Sequence, residues 1–443
     1  MKNSVILLAG FLLLGCAGQG TEKRTVIEGT AGGSGEMDRI ARDYVKLVLA
    51  LGLHDPDYVD AYYGPPEWKQ ETESAQLSLA GIEERAKRIL DRLDAVEPES
   101  AGAMAGLRYR FLRRQVRALS ARAEILGGKL FSFDEESEAL YDAVAPIHGE
   151  EHFKKIAARL EKHLPGPGSL SQRYEEYRRQ FAIPSDRLDR VFQEAIRECR
   201  RRTEQRIDLP VGESFEVEYV TGKSWSGYNW YQGNYHSLIQ VNTDFPIFID
   251  RAVDLACHEG YPGHHVYNML LEKNLVRDRG WMEFSVYPLF SPMSLIAEGS
   301  ANFGIEIAFP GEERIRFERE TLFPLAGLDA AAAENYYRIQ ELVRNLNYAG
   351  NEAARRYLDG EIDANGVAEW LEKYAMFSLP RARQRVRFID QYRSYVINYN
   401  LGMDLVRGYV ESKSGGGSAE EKWEAFTRLL SSPHLPSDLR ITE

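Results

Sequence analysis

Three cysteines in 443 residues are too few for a disulfide framework, so this fold rests on buried apolar surface rather than on cross-links. Basic residues are also in short supply. Lys and Arg number 55 against 67 Asp and Glu, for a net charge of −12, and no basic stripe stands out, which excludes nucleic acid as a partner. After an apolar run at residues 4–14, no stretch reaches the roughly 20 consecutive apolar residues of a membrane-spanning helix. No internal repeat is present, so a solenoid or propeller is excluded. Histidine is rare as well, with nine in the chain, three of them within residues 258–265.

The start of the chain carries a targeting pattern. Lys2 is followed by apolar residues 4–14, and Leu13-Leu14-Gly15-Cys16 has the form of a bacterial lipoprotein cleavage site. The run is too short for a spanning helix. Cleavage after residue 15 would leave a lipid-anchored Cys16 and a flexible tether over 16–36, rich in Gly, Thr and Ser. Ala17 after the cysteine favours the outer membrane, with the protein facing the periplasm.

Residues 37–206 read as amphipathic helices broken by His54-Asp55-Pro56-Asp57, Gly64-Pro65-Pro66, Glu97-Pro98-Glu99 and Pro165-Gly166-Pro167-Gly168. The texture then changes. Phe215 to Val220 alternates with period two, and 228–242 is rich in Tyr, Trp, Gln and Val, which predicts a small sheet over 213–242. Helices resume from 246 and continue through 314–375 and 380–411, with Ser414-Gly415-Gly416-Gly417-Ser418 as a late loop. About 400 residues suggest two packed lobes, 37–206 and 207–443. The fold class is therefore mainly α, with a small sheet beside the helices of 246–310.

Residues 258–265 read His-Glu-Gly-Tyr-Pro-Gly-His-His. Imidazoles bracketing a carboxylate supply what metal-assisted hydrolysis needs, neutral nitrogen ligands for zinc and a base for the bound water. In the shorter His-Glu-x-x-His arrangement the second histidine sits one turn after the first, but here that position is Pro262. Proline cannot donate to the His258 carbonyl, so the helix must bulge or kink. Two extra residues put His264 where the second ligand belongs. His265 is the alternative, at about 10 Å along a regular helix from His258, and otherwise supports the ligands from behind or faces the substrate. Catalytic zinc takes three protein ligands and keeps one open position, and Glu298, in the apolar stretch Leu-Ile-Ala-Glu-Gly-Ser-Ala-Asn (295–302), is the third candidate. Asp254, four residues before His258, is positioned to orient its ring. Cys257 reads as a small buried filler.

His-Glu-x-x-Pro-Gly-His-His followed by Ala-Glu-Gly (297–299) resembles the bacterial family grouped as domain of unknown function 885, related to zinc metallopeptidases of the gluzincin type. The likeness extends to Gly-Asn-Tyr-His-Ser-Leu-Ile-Gln-Val-Asn (233–242) and Tyr-Arg-Ser-Tyr-Val-Ile-Asn-Tyr-Asn-Leu-Gly (392–402). The resemblance implies a two-lobed helical gluzincin-like metallohydrolase holding one Zn²⁺ per chain. It also matches Gly263-His264-His265-Val266-Tyr267 to the end of the gluzincin helix motif, a second reason to choose His264. It implies an edge strand beside the metal that binds an extended peptide, here 234–242, with His236 reaching the substrate. Tyr399 and Arg393 are the implied donors to the oxyanion. The expected activity is cleavage of short peptides by a zinc-activated water, with Glu259 as general base. Hydrolysis of non-peptide amides or esters, or a non-catalytic binding lipoprotein, are the alternatives.

Overall fold

The computed structural model describes residues 35–96 and 102–440. The expected signal peptide, the expected lipidation site at Cys16 and nearly all of the expected tether lie outside the described residues.

Helices α1 (Glu36–Gly52), α2 (Pro66–Ala75), α3 (Leu79–Asp94), α4 (Ala103–Leu126), α5 (Phe133–Tyr141), α6 (Glu150–Glu161), α7 (Leu170–Arg179) and α8 (Leu188–Glu204) form the first part, interrupted by strand β1 (Val59–Tyr62). Amphipathic spacing drives them together: α1 buries Ile40, Tyr44, Val48 and Leu51 at intervals of three and four. Reciprocal caps at Ser132 with Glu135 and Ser169 with Gln172 start α5 and α7. Strands β2 (Ser214–Val220), β3 (Gly227–Gly233) and β4 (His236–Asn242) follow, then α9 (Asp250–Leu255), α10 (His264–Leu271), β5 (Val286–Pro288) and α11 (Pro292–Ala308). The remainder is helical: α12 (Glu313–Phe317), α13 (Phe323–Ala326), α14 (Ala333–Arg344), α15 (Ala349–Leu358), α16 (Ala364–Tyr374), α17 (Leu379–Tyr392), α18 (Ile397–Ser414) and α19 (Ala419–Leu430). The mainly α architecture with a small sheet is the one expected from the sequence. Among the described residues no helix is long and apolar enough to cross a membrane.

The three-stranded sheet runs β2-β4-β3, with β4 parallel to β2 and antiparallel to β3. This corrects the expected edge strand. Residues 236–242 are the central strand, paired on both sides, and the edges belong to β2 and β3. A second, two-stranded sheet pairs β1 with β5.

Two apolar cores are present. Ile40, Leu112, Phe153, Ile339, Trp370 and Tyr395 belong to one, and Val191, Ile239, Val266, Phe303 and Phe426 to the other. Helix α11 lies between them, giving Leu295 to the first and Ile296 and Ala297 to the second. Nearly every residue of α11 from Pro292 to Ala301 is buried. Its backbone meets that of α18 at two glycines. A Cβ on Gly299 would fall 2.3 Å from the Gly402 carbonyl carbon, and one on Gly402 would fall 2.6 Å from the Leu295 carbonyl oxygen.

Gly402→Ala must therefore push α18 off α11, at a cost of about 1–3 kcal/mol, and lower the midpoint of thermal unfolding. Gly350→Ala in α15, where the new methyl meets nothing within 4 Å, is expected to leave the midpoint unchanged or raise it slightly. Equal midpoints for the two variants would contradict this account of the helix crossing.

Candidate metal centre

The octet departs from regular helix where its residue types require it. After α9, residues Ala256–Gly260 form one wide π-helical turn, which leaves room for an extra residue. Tyr261 is extended (φ −115°, ψ 114°), and Pro262 brings no N–H. Gly263 (φ −78°, ψ −133°) closes the break, its N–H donating to the Cys257 carbonyl at 2.9 Å. A Cβ at Gly263 would lie 2.0 Å from the His258 carbonyl oxygen, so the site demands glycine. Helix resumes at His264. The expected bulge is thus a π turn followed by a full break.

That break turns His264 back onto His258. Their Nε2 atoms are 3.1 Å apart, and Glu298 Oε2 lies 3.1 Å from His258 Nε2 and 3.7 Å from His264 Nε2. A tetrahedron around zinc, with ligand distances of about 2.0–2.2 Å, has edges of roughly 3.3–3.6 Å. The three atoms match one face of it. Their chemistry fits as well as their spacing. His258 Nδ1 donates to Asn302 Oδ1 at 3.0 Å, and the amide is held in that orientation because its Nδ2 donates to the Tyr399 carbonyl at 2.9 Å. The proton is then on Nδ1, and the Nε2 lone pair faces Glu298. Glu298 Oε1 accepts from the Tyr395 hydroxyl at 2.8 Å, whereas the buried Oε2 has no hydrogen-bond partner. A lone pair aimed at a carboxylate oxygen is tolerable only with a cation between them.

Glu259 follows His258 on the same turn and is 4% exposed. The β3 edge of the sheet presses on it, because a Cβ at Gly227 would come within 2.5 Å of Glu259 Oε1. Asn229 of the same strand donates to the Glu259 carbonyl at 2.7 Å. Burial, with Glu298 and Asp60 adding to it, pushes the Glu259 carboxyl up to about 7 in the field of the protein's own charges. Burial likewise raises Asp60, on β1, to about 6. All of these side chains open on one cavity of about 1060 Å³, at the upper end of the usual range for ligand sites. Trp225 and Tyr228 line it beside Glu259, and Tyr399 lines it from α18.

His258, Glu259, His264, Glu298 and Tyr399 are therefore brought together. Other residues singled out in the sequence are not. His265 is fully buried behind the centre, with Nδ1 on Ser237 Oγ at 2.8 Å and Nε2 on Glu213 Oε2 at 2.9 Å. It fastens α10 to the sheet and does not face substrate. His236, at the start of β4, has Nδ1 3.2 Å from Ser214 Oγ and lies away from the cavity. Arg393 donates to the buried Glu136 carboxylate at 2.6 Å, so its charge is already committed. Asp254 pairs with Arg251 and Arg314 at 3.1 and 2.8 Å, and Asn302, four residues after Glu298, takes the orienting role expected of it. Cys257 packs against Cys199, Sγ to Sγ 2.9 Å, with both thiols buried. Asn302 and Tyr395 sat unassigned within the stretches 295–302 and 392–402. Asp60 carried no signal.

No family model matches the chain, and neither does any curated protein. Solved structures do. A candidate lipoprotein from Colwellia psychrerythraea aligns over 91% of this chain and 74% of its own, with 14% identity and a TM-score of 0.52. Pyrococcus furiosus carboxypeptidase, in a form described as apo-Mg, aligns over 92% of this chain and 95% of its own, with 15% identity and a TM-score of 0.50. At such identities the likeness shows a shared fold.

Metal analysis of the purified protein should find about one divalent ion per chain, absent from His258→Ala, His264→Ala and Glu298→Ala but kept in His265→Ala. Asn302→Leu, which frees the His258 ring, is expected to weaken metal binding about 10–100-fold. Undiminished affinity in that variant would contradict the orienting role of Asn302.

Proposed function

We propose that this chain is a zinc-dependent hydrolase of short peptides. The observation that carries the reading is the convergence of two imidazole nitrogens and one unpartnered carboxylate oxygen at 3.1–3.7 Å, next to a buried carboxylate on the rim of a cavity.

His258, His264 and Glu298 would hold the ion, which supplies a water of lowered pKa and polarises the scissile carbonyl. Glu259 takes the proton from the attacking water. Its burial suits the task, since a carboxylate raised towards neutrality is a stronger base than a solvated one. The same carboxyl then returns the proton to the leaving amine. The Tyr399 hydroxyl opens on the cavity with no hydrogen-bond partner among the described residues and is the donor for the oxyanion. An extended substrate pairs with the free edge of β3, which ends at Glu259 through Gly227. Tyr395 and Asn302 fix the ligands and do not touch substrate.

The carboxypeptidase fold shared with the Pyrococcus furiosus protein supports a peptidase over a binding module, as does Glu259, for which a binding module has no use. The octet and the segments 233–242 and 392–402 support membership of the family of unknown function 885. Leu13-Leu14-Gly15-Cys16, together with the likeness to a candidate lipoprotein, supports lipid anchoring at Cys16 on the bacterial cell envelope, facing the periplasm.

Glu259→Gln should keep its metal and lose about 10²–10⁴ in kcat/KM on a panel of fluorogenic peptides. Tyr399→Phe should lose about 10²–10³ in kcat with metal content unchanged. Full activity in metal-loaded Glu259→Gln would overturn the mechanism.

A further inference from the structure

The cavity carries cations that the chemistry above does not use. Arg178, Arg251, Arg314, Arg344 and Arg407 line it, and each lies 2.8–3.6 Å from a carboxylate oxygen of the protein. Arg381 and Arg385 line it too, yet among the described residues neither has a carboxylate or hydrogen-bond partner. They stand four residues apart on α17, one helical turn, and so share a face. Their surroundings are aromatic. Arg385 lies 4.3 Å from the Phe388 ring centre and 5.9 Å from that of Tyr399, and Arg381 lies 5.9 and 5.6 Å from those of Phe245 and Phe377. Through the Tyr399 ring, Arg385 adjoins the metal centre.

A chain of net charge −12 with acids to spare has left two neighbouring guanidinium groups unpaired, among the described residues, at the wall of this cavity. Burial and the nearby charges of Arg178, Arg251 and Arg385 press the Arg381 guanidinium down to about 10, a sign that local positive charge is uncompensated. A guanidinium presents a planar fork of donors matched to a carboxylate.

Resting on the metallohydrolase reading, we propose that Arg385 and Arg381 form a carboxylate-binding subsite, which selects peptides carrying an anionic group beside the scissile bond. The carboxylate is either the free C-terminus of the peptide or an acidic side chain. In the first case cleavage is confined to chain ends; in the second it is directed to acidic positions within a chain.

The test is calorimetric binding to full-length, metal-loaded Glu259→Gln protein, which does not consume the probes. Three probes are compared: N-acetyl-alanyl-phenylalanine, its C-terminal amide, and N-acetyl-alanyl-glutamate C-terminal amide. The free acid binding about tenfold or more tighter than its amide, with the preference lost in Arg385→Met or Arg381→Met, supports the subsite and names the C-terminus. The glutamate amide outbinding the phenylalanine amide, with the same loss, supports it and names a side chain. Arg385→Lys, which keeps the charge without the fork, should retain part of the preference and the wild-type unfolding midpoint. Equal binding of all three probes, no binding of any, or a preference that survives both Met variants overturns the proposal. Hydrolysis by the wild-type chain is scored separately. Cleavage without carboxylate preference leaves the metallohydrolase reading standing, and preference without cleavage leaves only the subsite.

Discussion

A buried carboxylate oxygen with no hydrogen-bond partner, facing two imidazole rings, is the constraint on which the rest of this structure depends. Glu298 sits on a helix enclosed between two apolar cores, where an unpaired charge is costly. Everything around it limits how the charge can be answered. Tyr395 takes one oxygen, and His258 and His264 close on the other. The second oxygen receives no proton from His258 once Asn302 has fixed the tautomer of that ring. What remains is a pocket for a cation with one face of a tetrahedron already built.

The backbone is shaped to serve that face. Pro262 and Gly263 break the helix after the π turn, and without the break His264 would point away from His258. The glycine contact between α11 and α18 brings Tyr395 and Tyr399 within reach of Glu298 and the cavity. Larger residues at that crossing would separate the ligand from the side chains that orient it. The β3 edge, ending on Gly227, lets a strand come close enough to cover Glu259 and exclude water from one side of it. Positions without a side chain thus set the distances among the groups that carry the chemistry.

Much of the site was legible in the sequence because its chemistry is local. His258, Glu259 and His264 lie within seven residues, and the proline between them was enough to show that the second candidate ligand could not sit at the fourth position, with His264 preferred over His265. Glu298 was legible because an acid in an apolar stretch must have a reason. The helical fold was legible from periodicity, and the small sheet from alternation. Strand order was not, since alternation says which residues form strands but not which strand sits in the middle, and the parallel pairing of β2 with β4 skips the hairpin partner. Arg393 was misplaced because its partner, Glu136, is 257 residues away. His264 was preferred over its neighbour His265 on helix rise and motif, and the burial of the His265 ring against Glu213 and Ser237 accounts for the difference between them. Asn302, Tyr395 and Asp60 draw their roles from the packing of distant elements, and no spacing rule announces them.

The most direct test of this account is X-ray absorption at the zinc edge on the purified full-length protein after loading with one equivalent of zinc. The account predicts an all nitrogen and oxygen shell at about 2.0–2.2 Å, with outer-shell scattering from two imidazoles. A sulfur shell near 2.3 Å, or a spectrum without imidazole scattering, would contradict it.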